Sequence, residues 1–312
     1  DAANLDEVVV VGYGTMDKKE LTSAISHVSA RNFTQVASVD PSMMIQGKVP
    51  SVSITNTGAG DPNNQASIQI RGVSSRAAEL GPLIVIDGVP GGNLTNINPN
   101  DIESYDVLKD GAASAIYGTR GSNGVILVTT KKGARDGNLH TSYNGSIALD
   151  VIKKDLDMLS PDEYRANRLA SGTGYDLGGS TDWMKEVSRV GVRTVHTLTL
   201  SGGNIKSNYR ASVDYRDAKG IDKYSGRQEY GARISLNHTT NNGLITFGLN
   251  IAPRVAYRKN ATWDVFRNAL EANPTTPIWD PQNPALYYNF KGQPAEWNPI
   301  EQEKRRKDTG TT

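Results

Sequence analysis

The residues able to do acid–base chemistry gather first at Asp87, Asp101, Glu103 and Asp106. Glycoside hydrolysis would need two such carboxylates facing each other across a cleft at a set separation. Asp87 stands before Gly88 in a turn-like pair and Asp101 fits a helix start, so both have ordinary structural uses. Asp61-Pro62-Asn63-Asn64 offers oxygen ligands but lacks the spacing of an EF-hand calcium loop. The four histidines, His27, His140, His196 and His238, are scattered without an HxH or HxxxH pair. Cysteine is absent, which removes disulfide frameworks, thiolate zinc sites and cysteine nucleophiles. Gly118–Gly124 (GTRGSNG) lacks the Gly-Lys-Ser/Thr ending of a phosphate loop and falls between a predicted helix and strand, the wrong order. With no GxSxG element either, the chain is expected to hold no catalytic residue, no metal and no cofactor. It reads as a carrier.

Other segments suit binding. Asp6-Glu7-Val8-Val9-Val10-Val11 is a β-branched run with an acidic lead. It could add as a strand to a partner's sheet, where backbone hydrogen bonds supply the affinity, or it is an ordinary first strand. Arg71 follows an alternating strand and precedes Gly72. Trp183, Trp263, Trp279, Tyr287, Tyr288 and Trp297 lie in long loops; they suit sugar stacking, a partner contact, or interfacial and loop packing. Lys and Arg number 34 against 33 Asp and Glu, so no basic footprint points to nucleic acid.

The elements that carry these residues have two rhythms. Up to about Lys132 the chain reads as a compact α+β unit. Asp40-Pro41 predicts an N-cap with Pro at the first position of a helix running to about Gly47. Ser51–Thr55, Ile68–Arg71, Leu83–Ile86, Tyr105–Lys109 and Val125–Lys131 predict strands, and Gly111–Tyr117 a small helix. After about Gly137, apolar and polar residues alternate instead. Tyr209, Ala211, Val213 and Tyr215 interleave with Arg210, Ser212, Asp214 and Arg216. The same rhythm marks Glu229–His238 and Ile245–Ile251, and more weakly Tyr143–Leu149 and Val195–Ser201. Gly202-Gly203-Asn204 and Asn241-Asn242-Gly243 predict tight hairpins. Asp217–Gly226, Val151–Val190 and Tyr257–Thr312 read as longer loops. Short turns at one end and long loops at the other fit an outer-membrane barrel, although a half-buried soluble sheet also alternates. No apolar run reaches the length of a spanning helix. The start at Asp1, without Met or a leader, suggests a processed or excised product.

Gly81–Gly133 (GPLIVIDGVPGGNLTNINPNDIESYDVLKDGAASAIYGTRGSNGVILVTTKKG) resembles the signature region of the TonB-linked outer-membrane transporters of the SusC/RagA type, named for a starch-utilisation system and a peptide importer. Leu5–Gly14 (LDEVVVVGYG) looks like the energy-coupling box of that family. Met44–Val49, Ile68–Gly72 (IQIRG) and Gly202–Tyr215 look like its plug and early barrel. The resemblance implies a TonB box and linker over 1–14, an α+β plug domain over 15–136, and the first antiparallel strands of a large transmembrane β-barrel over 137–312. Five or so alternating segments cannot close a barrel of roughly 22 strands, so the chain is expected to be a portion of a transporter.

Function follows as what the resemblance implies. A nutrient, foremost an oligosaccharide, would cross the bacterial cell outer membrane while the plug gates the barrel. TonB, powered through ExbB/ExbD, would pair with Asp6–Val11; a SusD-like surface lipoprotein would act as lid; outer-membrane lipid would surround the barrel. Arg71 would contact barrel carboxylates. Ligand-facing candidates are Thr57, Asn63, Asn64, Ser74, Arg76, Asn93 and Asn96, on the plug's outward turns. The alternatives are a peptide importer of the same family and a non-transporting soluble glycan-binding module.

Overall fold

The computed structural model describes residues 8–11, 14–17, 25–33, 40–58, 60–70, 72, 81–109, 117–153, 157–260, 263–292, 295, 297–305 and 309–311. The predicted helix over Gly111–Tyr117 lies outside them except at its last residue. Strand β1 (Val8–Val11) pairs antiparallel with β2 (Gly14–Asp17). Next come β3 (Ile25–Ser29), β4 (Val52–Thr55), β5 (Ser67–Ile70), β6 (Leu83–Ile86), β7 (Val89–Pro90), β8 (Ile102–Leu108) and β9 (Val125–Thr130). Five of them form one sheet in the order β3-β8-β9-β6-β7, while β4 and β5 pair separately. The β6–β9 pair is parallel, as its long connection allows.

Apolar side chains cover both faces of this sheet. Val28, Ile45, Ile54, Ile97, Tyr105 and Ile126 share the larger core; Val85, Leu108, Val125 and Leu127 form the smaller. The predicted helix after Asp40 is a 3-10 turn, Pro41–Ile45. Asp40 accepts from the Ser42 N–H at 2.9 Å and, with its other oxygen, from the Ala66 N–H at 2.7 Å, fixing the turn on the β4–β5 hairpin. Ser51, predicted as strand, instead takes φ 67° just before β4. Asp87 and Gly88 both have positive φ (48° and 86°), the signature of the two-residue turn joining β6 to β7.

The second half is an antiparallel wall: β10 (His140–Asp150), β11 (Gly191–Gly203), β12 (Ser207–Lys219), β13 (Gly226–Thr239), β14 (Thr246–Ile251), β15 (Arg254–Lys259) and β16 (Thr309–Thr311). Segments β14 and β15 both pair with β13 in a single register, Ile251 opposite Ile234 and Arg254 opposite Gly231. They are one strand interrupted at Ala252-Pro253, where Pro lacks the ladder N–H. The loop predicted from Tyr257 therefore begins after Lys259. The predicted ten-residue reversal between β12 and β13 is also shorter, Gly220–Ser225, because Asp222 accepts the Tyr224 and Ser225 N–H groups and closes the turn. Asn204–Lys206 forms the first hairpin, with Gly202 and Gly203 still in strand.

One end of the wall thus carries short turns. The other carries segments 151–190 and 260–308, with helices α1 (Pro161–Tyr164, continued as a π-turn), α2 (Trp183–Val187), α3 (Trp263–Glu271) and α4 (Pro299–Arg305). These two loops share one core of Trp183, Val187, Val265, Phe290 and Ile300. Thr181 and Trp183 donate to the carbonyls of Thr276 and Asn273, at 2.8 and 3.2 Å.

The wall's faces are inverted relative to a sheet in water. Tyr209, Val213, Ile234 and Phe247 are 40, 54, 44 and 58% exposed, while Arg216 and Glu229 are 1 and 0% exposed. Apolar outside and charged inside is what a strand needs when lipid lies on one side and a polar lumen on the other. A row of rings, Tyr143, His196, Tyr215, Tyr230 and Tyr257, with neighbouring centroids 5.0 to 6.5 Å apart, crosses the outer face, as interfacial girdles do.

Candidate functional site

The plug meets the wall along a polar seam. Its first anchor is the turn Asn98–Asp101, where the Asn98 side chain accepts the Asn100 N–H. This holds Asp101, 2% exposed, against β12. Asp101 accepts from Arg210 at 3.0 Å and from the Ser212 hydroxyl at 2.9 Å, with Arg233 3.9 Å away. Asp87 accepts the N–H and hydroxyl of Thr130 and faces Arg233 at 3.6 Å. Asn98 and Asn100 both donate to Thr197 of β11. Lys131 donates to the Asn100 carbonyl at 2.8 Å; burial, then Arg210, lower its pKa against the pull of Asp101 and Glu103. The exit from the plug grazes the wall at Gly133, where a Cβ would overlap the Tyr209 backbone.

Above this seam the wall carries a charged ladder. Its rungs, set by register, are Asp214–Gly231–Arg254, Arg216–Glu229–Ala256 and Ala218–Arg227–Arg258. Gly231 lets the first rung close: a Cβ there would sit 2.5 Å from Asp214 Oδ1, and across the gap Arg254 donates to that oxygen at 2.9 Å. Glu229 serves both Arg216 (3.1 Å) and Arg227 (2.6 Å). Buried pairs of this kind contribute little net stability, yet removing one member strands the other and costs about 3–5 kcal/mol. They therefore fix where things sit. Arg254 also donates to the Asn96 carbonyl at 3.3 Å, which ties the plug to the ladder.

Three of the four carboxylates weighed from sequence are engaged in structure. Besides Asp87 and Asp101, Asp106 contacts His27 at 2.6 Å, and Glu103 is exposed. Among the described residues no group of three or more His, Cys, Asp or Glu could hold a metal ion. Of the ligand-facing candidates, Thr57 is exposed. Asn63 donates to the carbonyls of Gly226 and Lys259 at 3.3 and 2.8 Å, which seats the plug's outer turn on the wall's long-loop end. Asn64 donates to Asn56 at 2.6 Å, and Asn93 accepts the Thr95 N–H and hydroxyl. Asn96 is exposed. Asp6, Glu7, Arg71, Ser74 and Arg76 lie outside the described residues. Of the loop aromatics, Trp183 is core, Trp279 stacks on Tyr287 at 4.5 Å, and Trp297 is exposed.

Sequence reading missed Arg210, Arg233 and Arg254 as the plug's partners. The available signal was their place on the polar face of alternating strands, which the lumen side of a plugged barrel must line with counter-charges.

The plug family described as "TonB-dependent Receptor Plug Domain" matches residues 17–125. The chain is 37% identical over 306 residues to the TonB-dependent receptor SusC of Bacteroides thetaiotaomicron, which covers 94% of this chain and 30% of that protein. It is 34% identical to the TonB-dependent receptor P39 of Formosa agariphila, over 89% of this chain and 28% of the relative. The RagAB peptide importer in its open-open state superposes with a TM-score of 0.74 at 25% identity, over 82% of this chain and 33% of that one. The chain thus spans under a third of the length of these curated relatives. An α+β plug seated by ion pairs on an inverted antiparallel wall, with these likenesses, places the chain among the TonB-dependent receptors of the SusC/RagA type in the bacterial outer membrane.

Proposed function

We propose that the chain is the coupling, gating and entry portion of a nutrient importer without chemistry of its own. The observation that carries this is the seam: a folded plug is held inside an inverted wall by a few discrete ion pairs centred on Asp101 and Arg210. Such pairs hold position firmly and can be broken one at a time by a mechanical pull. The outer membrane has no ATP, so that pull would come through TonB with its ExbB/ExbD energy supply, paired with the segment Asp6–Val11. A SusD-like surface lipoprotein would close the outer mouth, and outer-membrane lipid would bathe the apolar face.

An oligosaccharide is the substrate favoured here, as the resemblance of the Gly81–Gly133 signature to the SusC/RagA type implies, with a peptide as the alternative. Ligand contact on the plug falls to the outer turn carrying Thr57 and Asn63, with Asn96 deeper; Ser74 and Arg76 stay candidates on sequence grounds, as does Arg71 for the plug–wall contact. Deleting Asp6–Val11 from the full-length transporter should abolish uptake of labelled substrate by cells while surface binding persists. Uptake at the parental rate in that strain refutes the coupling role.

A further inference from the structure

The outer ends of β12, β13 and β15, the 220–225 turn and helix α4 enclose a cavity of about 830 Å3. Among the described residues lining it, seven are cationic, including Arg189, Lys223, Arg227 and Arg258, and three are acidic, Asp217, Asp222 and Glu303. Even with all three acids ionised, seven cations less three acids leave an excess of four cationic side chains in the lining. Asp222 accepts two backbone N–H groups of its own turn. Glu303 lies beside Asp222, and burial with that neighbour pushes its pKa up to about 9, so it is neutral at pH 7. Arg189 is held by the carbonyls of Gly220 and Ser225, which keep its full charge in place.

Arg227 and Arg258 stand directly opposite each other on neighbouring strands, where like charges repel, and the Glu229 carboxylate answers Arg227 at 2.6 Å. Arg227 shares Glu229 with Arg216. The Nε of both Arg227 and Arg258 is buried without a hydrogen-bond partner, a desolvation cost that an acceptor oxygen would remove. The Asn63 amide sits on the carbonyls of Gly226 and Lys259, next along the chain to these two arginines, and its Oδ1 is buried without a donor. Orphaned donors in a cationic cavity match a ligand that carries an acidic group.

We propose that this cavity is an anion subsite, in which Arg227 and Arg258 hold a carboxylate or sulfate group of the imported ligand. It rests on the importer reading and narrows the substrate class to acidic molecules. Guanidinium forks suit both oxyanions.

The test uses the full-length transporter in detergent, with labelled inorganic sulfate and labelled acetate as probes in equilibrium dialysis at constant ionic strength. Saturable binding of at least one probe is expected, and which one tells sulfate from carboxylate. Arg258→Gln should weaken it at least tenfold, and Arg258→Lys less than Arg258→Gln. Lys223→Gln, on the 220–225 turn, should weaken it about threefold, and gives the readout if Arg258→Gln does not assemble. Lys206→Gln, at the opposite rim, should leave binding unchanged. No saturable binding of either probe, or full binding by Arg258→Gln or by Lys223→Gln, overturns the subsite. Import that persists without anion binding overturns the subsite alone, whereas the coupling-strand deletion tests import separately.

Discussion

Glu303 gives the sharpest test of how the outer loops are held. It is 6% exposed on helix α4, and neither carboxylate oxygen has an N–H or O–H donor. Its pKa rises from 4.5 to about 9, first through burial and then through Asp222. With α4 docked, Glu303 is therefore the neutral acid, donating its proton to Asp222; undocked, it titrates near 4.5. Below that value both states hold the proton and docking bears no penalty. Between about 4.5 and 9 only the docked state holds it, so docking weakens as pH rises, by about 1.4 kcal/mol per unit. At pH 7 the penalty is on the order of 3 kcal/mol. Glu303→Gln keeps a donor toward Asp222 and removes the proton, so it should strengthen docking by on the order of 2–3 kcal/mol at pH 7 and have almost no effect at pH 4.5. The assay is hydrogen exchange of the α4 amides from pH 5 to 8, corrected for intrinsic rates, in the full-length transporter. A pH-independent opening free energy in the parent protein, or no difference between parent and Glu303→Gln at pH 8, refutes the reasoning.

Two further perturbations address the seam and the wall. Asp101→Asn leaves Arg210 facing a neutral group while Arg233 keeps Asp87, and should loosen the plug by about 3 kcal/mol, read as more frequent channel openings in planar bilayers and greater entry of large antibiotics. Val213→Arg, at the middle of β12 and facing outward, should lower the stability of the assembled barrel in lipid by about 2–4 kcal/mol; a denaturant midpoint unchanged from the parent would mean that this face does not meet lipid.

How much of this was legible follows the range of each interaction. Alternation marked β12, β13 and β14 because a pleat has period two whatever surrounds it. It could not say which face is buried: Tyr209 and Arg210 read the same in a soluble sheet with its faces exchanged, and only the family resemblance chose. Pro253 hid the continuation into β15, since Pro signals a strand's end, while the register shows the strand passing through it. The aspartate cap at Asp40 was readable because it acts two residues away. The same short-range logic, applied to Asn93 and Thr95, would have shown the Asn93 oxygen bonding its own turn. Asp101 with Arg210 spans 109 positions and Asp214 with Arg254 spans 40; no local pattern carries such pairs. The loop aromatics were ambiguous because Trp183 and Phe290 meet only when two distant loops fold together.

That joint fold makes the described residues of segments 151–190 and 260–308 a single packed body. Exposing Trp183, Val187, Val265, Phe290 and Ile300 would cost about 1.5–3 kcal/mol for each large side chain, far above thermal energy. Any displacement that keeps this core intact carries the two loops together. A substitution at Trp183 or at Phe290 is therefore felt in both loops, because each ring packs on the other.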